Sequence, residues 1–338
     1  LLLPSPTRHR WSIFPGSEIY GGLAGTWDWG PLGVSLKNNI KQSWWSKFVD
    51  SRRDMYGVDA ALLMNSRVWE ASGHVAGFAD PMVECKTCKK RFRADQMEDK
   101  TICPECTGET GEERQFNMMF QTRVGASEDS SSVSYFRPET AQGMFVNFKN
   151  IVDSFHPKLP FGMAQIGKAF RNEITPRDFI FRVREFEQME IEYFVHEKEW
   201  QKYFEYWKDE MIEWMTSIGL DFDKVHELEV EGDDLAHYSK RTVDFEFDFP
   251  FGRKELYGLA YRGDFDLTNH MNASGVDLTY FNEQAETEDE KRFVPHVIEP
   301  TFGLERTVLA LLISVYREEE KEGEIRPYLA FNPAIAPV

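Results

Sequence analysis

Residues 165–195 constrain the fold more than any other part of this chain. They read as strand, loop, strand. The first arm ends on Phe170-Arg171-Asn172-Glu173, and Pro176-Arg177-Asp178 supplies turn chemistry. The second arm, 184–195, alternates apolar and charged residues, the pattern of a half-buried strand. Its carboxylates Glu185, Glu187, Glu190 and Glu192 are expected on one face, beside Arg171, Arg182 and Arg184. A sheet face carrying both signs suits a zwitterionic or polyphosphate ligand. It equally suits a solvated strand whose charges pair across the hairpin, and composition alone leaves both readings open.

The four cysteines sit together as Cys85, Cys88, Cys103 and Cys106, spaced C-x2-C-x14-C-x2-C. Two such knuckles make a tetrahedral thiolate cage for zinc, with disulfides as the competing reading. A closed four-sulfur site has no open coordination position, so its role should be structural. Lys86, Lys89, Lys90, Arg91 and Arg93 decorate the first knuckle and its exit. They either touch nucleic-acid phosphates or offset thiolate charge, and the second is the simpler reading.

Several other stretches declare their form. Val34, Ile40, Trp44, Trp45 and Phe48 recur at helical spacing, as do Trp200, Tyr203, Phe204, Trp207, Met211, Met215 and Ile218. Residues 243–249 alternate strictly, 255–262 form a further strand, and 303–316 read as an apolar helix after a glycine turn. His74 by itself reads as a hydrogen-bonded structural histidine. At 41% hydrophobic residues the 338-residue chain has ample material for a large core. No apolar run approaches the ~20 residues of a membrane span, and Leu1-Leu2-Leu3 stops at Pro4, too short for a signal core. The expectation is a cytoplasmic protein without membrane contact. A net charge of −18 has the wrong sign for bulk attraction to nucleic acid, so any such contact needs a local basic patch. The phosphate-binding pattern G-x-x-x-x-G-K-[ST] is absent.

Phe-Arg-Asn-Glu at 170–173, followed by Phe181-Arg182-Val183-Arg184-Glu185-Phe186, resembles motif 2 of the class II aminoacyl-tRNA synthetases. Glu187-Gln188-Met189-Glu190-Ile191-Glu192 narrows the resemblance to the dimeric glycyl-tRNA synthetases. The runs Ser17-Glu18-Ile19-Tyr20-Gly21-Gly22 and Trp27-Asp28-Trp29-Gly30-Pro31-Leu32-Gly33 resemble that family's N-terminal signature. Arg137-Pro138-Glu139-Thr140-Ala141-Gln142-Gly143 resembles its amino-acid loop, and 299–306 its motif 3. The match runs in order from about residue 13 to 332. Residues 7–12 stand where the family carries a basic, glycine-containing run.

The resemblance implies an α+β fold: the class II synthetase core, an antiparallel sheet flanked by helices, with an inserted zinc ribbon. It divides the chain into core at 11–82 with motif 1, ribbon at 83–115, core at 116–195 with motif 2, a mostly helical insertion at 196–242, core at 243–330 with motif 3, and the start of an anticodon-binding domain at 331–338. It implies glycine, ATP and tRNA(Gly) as substrates, Mg²⁺ with the ATP, structural Zn²⁺, and a homodimer whose motif 1 surface the paired Trp44 and Trp45 would suit.

Roles follow residue by residue from the resemblance. Arg171 would hold the α-phosphate and the attacking carboxylate, Arg306 the γ-phosphate, and Arg182 would assist; arginine's fork binds phosphate oxygens without losing charge. Asn172, Glu173, Phe181, Phe186, Leu256 and Gly303 would complete the ATP site, with Glu173 reading the adenine amino group and Phe186 stacking on the ring. Glu255 and Glu299 would hold Mg²⁺. Glycine would meet Arg67, Glu139, Glu187, Glu190, Arg262, Glu299 and Thr301. Thr301 stands where the family has serine and adds a methyl to the smallest part of the pocket. The alternative is a catalytically silent, synthetase-like nucleic-acid-binding or accessory protein, which would not need both Arg171 and Arg306.

Overall fold

The computed structural model describes residues 13–126, 132–232, 235–236, 238–283, 285, 287 and 291–337. The lead-in at 7–12 and the polar loop at 127–131 lie outside them.

The 165–195 hairpin is part of a seven-stranded sheet. In chain order its strands are β1 (Met55–Gly57), β2 (Phe161–Phe170), β3 (Glu185–Val195), β4 (Val225–Val230), β5 (Arg241–Phe249), β6 (Gly252–Gly263) and β7 (His296–Gly303). They lie in the order β4-β5-β6-β7-β3-β2-β1. All neighbours run antiparallel except β2 and β1.

Three helices cover one face of this sheet: α1 (Pro31–Trp45), α2 (Trp200–Ile218) and α3 (Leu304–Val315). Pro31 opens α1 at the position where a missing N–H is harmless. Gly219, at φ 89°, ends α2 in the left-handed conformation that only glycine adopts cheaply. The buried stripe of α2, with Phe204, Trp207, Met211, Trp214, Met215 and Ile218, shares one core with Met189, Ile191 and Tyr193 of β3 and Phe245 and Phe247 of β5. Truncating a tryptophan here, such as Trp207, would cost about 3–5 kcal/mol. The segment 196–242 packs as part of the main body. Its helix belongs to the main core, and its strand β4 forms the edge of the main sheet.

Two further expectations change. The β2–β3 register is regular, with Gln165 opposite Glu190 and Lys168 opposite Glu187. Glu187 and Glu190 are three apart, and a strand repeats every two residues, so they point to opposite faces. Glu190 and Glu192 share the open face with Phe186 and Gln188, whereas Glu185 and Glu187 lie on the helix side. Trp44 is the second change. It is fully buried against Phe48 and Phe302 of its own chain, so it is no surface for a partner. Trp45 lies against Gly57, where a Cβ would come within 2.6 Å of its ring.

The cysteines hang from a three-stranded sheet, Ala79–Glu84, Arg91–Arg93 and Arg114–Asn117. Cys85 and Cys106 sulfurs are 3.5 Å apart, and Cys88 and Cys103 sulfurs 3.7 Å. All four sulfurs fall within 4.8 Å of one another. A tetrahedral zinc with Zn–S of ~2.3 Å sets its sulfurs ~3.8 Å apart, so this donor set fits zinc. The Cys88 N–H donates to Cys85 Sγ at 3.4 Å and leads the effects that pull that thiol down to about 6. The ribbon's cations mostly pair with its own carboxylates: Lys86 with Glu109 at 2.6 Å, Arg91 with Glu84 at 2.9 Å, and Lys90 with Glu105.

Candidate active site

The face of the sheet opposite the three helices holds a cavity of about 420 Å³. It runs across β5, β6, β7 and β3 because their alternate residues face it: Asp244, Gly258, Ala260, Thr301, Glu299, Gln188 and Glu190. The turn after β2 supplies Arg171 and Glu173, and the loop before β3 supplies Phe181 and Arg182.

One end is basic and half open. Arg171 Nε donates to the Pro138 carbonyl at 3.1 Å, with its guanidinium 5.3 Å from the Phe186 ring centre. Arg306 Nη1 donates to the Glu255 carbonyl at 2.9 Å and lies 3.1 Å from that residue's carboxylate. Its guanidinium covers Phe181 at 4.5 Å. Arg182 Nη1 stands 3.8 Å from Glu173 Oε2, and both atoms are buried without a hydrogen bond. Burial lowers the Arg182 pKa; Glu173 opposes this, while Arg93, Arg177 and Arg306 add to it. Arginines crowded in this way suit an anionic ligand.

The other end is acidic and closed. Arg262, about 1% exposed, donates to both oxygens of Asp266 at 2.7 and 2.9 Å and to Glu299. Tyr238 lies 3.7 Å from that guanidinium and lines the cavity. The Thr301 hydroxyl donates to Glu190 at 3.0 Å and the Thr140 hydroxyl to its other oxygen. His74 Nε2 meets Glu139 at 3.3 Å, and Gln142 donates to Glu139 at 3.0 Å and to Asp266 at 2.9 Å. His74 is thus structural, as its setting in the sequence suggested, and it positions Glu139. Carboxylate oxygens of Glu190, Glu192 and Glu299 fall within 4.8 Å of one another, and neither Glu192 oxygen has a hydrogen-bond partner. Burial above all pushes Glu299 up to about 8; Arg262 opposes it, and Glu190, Glu139 and Asp266 add to it. Burial and Glu299 likewise push Glu192 well up. Burial works against Glu139 too, but His74 and Arg262 outweigh it and hold its pKa down. This end is short of positive charge, and an ammonium group would supply it.

The structure brings Arg171, Glu173, Phe181, Arg182, Phe186, Glu255, Leu256, Gly303 and Arg306 to one end, and Glu139, Glu190, Glu299 and Thr301 to the other, with Arg262 directly behind Glu299. Five residues or pairs lie elsewhere than expected. Arg67 is exposed outside the cavity and donates to the Ala273 carbonyl at 2.5 Å. Glu187 points to the helix side, where Lys37 at 2.5 Å and Lys41 at 3.1 Å hold it. Asn172 does not line the cavity; its backbone N–H donates to Met118. Glu255 and Glu299 cannot share one ion: Ala260 opposes Glu299, so five residues of β6, ~16 Å, separate the two. The carboxylates beside Glu255 are Asp244 and Glu246; with burial first, the charges of Glu255 and Glu246 push Asp244 up to about 7. Arg184, expected beside the carboxylate face, instead clamps the Glu173 and Ala24 carbonyls at 2.9 and 2.7 Å. Sequence reasoning passed over Gln188, which shares the parity of Glu190. It also passed over Tyr238 and Arg93, which only the tertiary fold delivers.

Fold and cavity together define a class II tRNA synthetase core. Residues 123–319 match the tRNA synthetase class II core domain (G, H, P, S and T). In structure the chain is similar to a Giardia lamblia prolyl-tRNA synthetase in complex with prolyl-adenylate, with a TM-score of 0.65 at 15% identity, over 94% of this chain and 51% of that one. In sequence it is 48% identical to the glycine–tRNA ligase of Caldanaerobacter subterraneus subsp. tengcongensis, covering 98% of this chain and 77% of the relative. It is 49% identical to that of Geobacillus thermodenitrificans, covering 98% and 76%. The chain belongs to the glycine–tRNA ligase family.

Proposed function

We propose that the chain activates glycine with ATP to glycyl-adenylate, releasing pyrophosphate, and passes the glycyl group to the 3′ end of tRNA(Gly). The observation that carries this reading is the two-ended cavity: phosphate-binding arginines at one end, a closed carboxylate nest around Arg262 at the other. Catalysis of this kind needs charge neutralised and reactants aligned more than it needs a protein nucleophile. Arg171 would hold the glycine carboxylate against the α-phosphate, and Arg306 and Arg182 the outer phosphates. Phe186 would stack on adenine and Glu173 accept its amino group. Glu139, Glu190 and Glu299 would receive the ammonium group, with Thr301 fixing Glu190. A missing methylene gains only ~1–3 kcal/mol of discrimination, so glycine must be chosen by walls that clash with anything larger, here Thr301 and Tyr238.

Mg²⁺ would sit on Glu255, with Asp244 beside it, and neutralise phosphate charge. Zn²⁺ would hold the ribbon through Cys85, Cys88, Cys103 and Cys106. Among the described residues no helix is long and apolar enough to cross a membrane, and a cytoplasmic place fits a translation enzyme. Ile19 and Tyr20, 87% and 88% exposed on the short turn Glu18–Tyr20, support a homodimer through that turn. The test is glycine-dependent ATP–pyrophosphate exchange, with alanine and serine as controls. Exchange with glycine alone is expected; none from folded, zinc-loaded protein would overturn the reading.

A further inference from the structure

Arg93 has no part in the resemblance, yet it lines the cavity. It ends the strand Arg91–Arg93 that leaves the first cysteine pair, and its backbone pairs with Met82. Its guanidinium meets Asp80 at 2.6 Å and takes Asp95 in a two-pronged grip at 3.2 and 2.7 Å. The Thr175 hydroxyl, in the loop between β2 and β3, donates to the Arg91 carbonyl at 3.4 Å, so ribbon and loop touch here. Arg93 lies close enough to Arg182 to press on its charge, as do Arg177 and Arg306. Like charges gathered in this way destabilise one another until an anion arrives. One group stands ready for it: Arg182 Nη1 is buried with no hydrogen bond, and Glu173 Oε2 lies 3.8 Å away.

We infer that Arg93 is a polyphosphate-binding residue of this site, taking with Arg182 the terminal phosphates of ATP and the pyrophosphate released. The inference rests on the adenylate-forming reading above. It gives the ribbon a second task. The cysteine cage sets the strand that carries Arg93, so it sets the shape of the pocket as well as the stability of the fold. The competing role is a plain anchor, Arg93 tying the ribbon to Asp80 and Asp95. The two roles separate because the anchor needs Asp95 and the phosphate does not.

The experiment measures inorganic pyrophosphate binding by calorimetry on the whole chain, for wild type, Arg93→Ala, Arg93→Lys and Asp95→Asn. KM for ATP and for glycine in the exchange reaction, circular dichroism and zinc content are measured alongside. A charge-assisted phosphate contact predicts that Arg93→Ala weakens pyrophosphate and raises KM for ATP by ~10-fold or more, with KM for glycine unchanged. Arg93→Lys should recover part of this, and Asp95→Asn should bind pyrophosphate as wild type does. The inference falls if Arg93→Ala binds pyrophosphate normally, or if Asp95→Asn loses it to the same degree. Pyrophosphate binding reads Arg93 directly, so failure of glycine-dependent exchange in wild type would strike the adenylate reading and leave this result to be judged on its own.

Discussion

The acidic and basic ends of the cavity are built on different principles. At the acidic end Arg262, Asp266, Glu299, Gln142, Glu139 and His74 hold one another in a closed network, nearly all of it buried. At the basic end the arginines lean on backbone carbonyls and aromatic rings, and polar atoms of Arg182 and Glu173 lack hydrogen bonds. The first end is braced before its ligand comes and lacks only the positive charge that would face Glu192. The second is completed by its ligand. Damage at the acidic end should therefore appear as lost stability, and damage at the basic end as lost chemistry.

The comparison breaks most visibly at Arg262. Removing it leaves Asp266 and Glu299 buried without their cation, so Arg262→Ala should lower unfolding stability by about 3–5 kcal/mol in denaturant melts. A loss below about 1 kcal/mol would show that the network does not brace the fold. Next comes Arg171→Ala, expected to reduce glycine-dependent exchange by ~100-fold or more while the melt and zinc content stay unchanged. Retained exchange would remove Arg171 from its role. Smaller is Thr301→Val, which deletes the hydroxyl that Glu190 accepts from: KM for glycine should rise roughly tenfold at most, and Thr301→Ser should not raise it. An equal rise from both would show that the hydrogen bond to Glu190 is not what holds the affinity.

The mildest effect is that of pH. Glu299 faces Arg262, Glu190, Glu192, Glu139, Asp266 and Tyr238, and its pKa is pushed up to about 8. Its ionised form attracts an ammonium group, and below that pH it mostly carries a proton that binding must expel. KM for glycine should therefore fall as pH rises from about 7 to about 8.5, by roughly the tenfold that one pH unit of proton competition allows. Glu299→Gln should flatten the profile; an unchanged slope would move the proton to another carboxylate.

Much of this was legible in the sequence, for reasons that can be named. Strict alternation marked β5, a three-and-four aromatic stripe marked α2, and cysteine spacing marked the cage, because each signal lies within about twenty residues of chain. Sign errors came from neglecting parity: counting by twos from Glu190 excludes Glu187 and admits Gln188. The Mg²⁺ pair failed for another reason, since the distance from Glu255 to Glu299 is fixed by strand register, which neither residue's neighbourhood encodes. Arg93 and Tyr238 reach the cavity through the docking of a ribbon and a loop, and only the folded chain reveals that.

The opposed faces of β3 make the strand behave like a reading frame. Loss of one residue between Glu187 and Glu190 would turn Ile191 and Tyr193 toward the cavity and drive Glu190 and Glu192 into the aromatic core. Loss of two would keep each side facing its own way and merely slide it by one step of the ladder. Length variation here should thus be tolerated, if at all, only in even counts, so the heritable unit of this strand is the pair rather than the single residue.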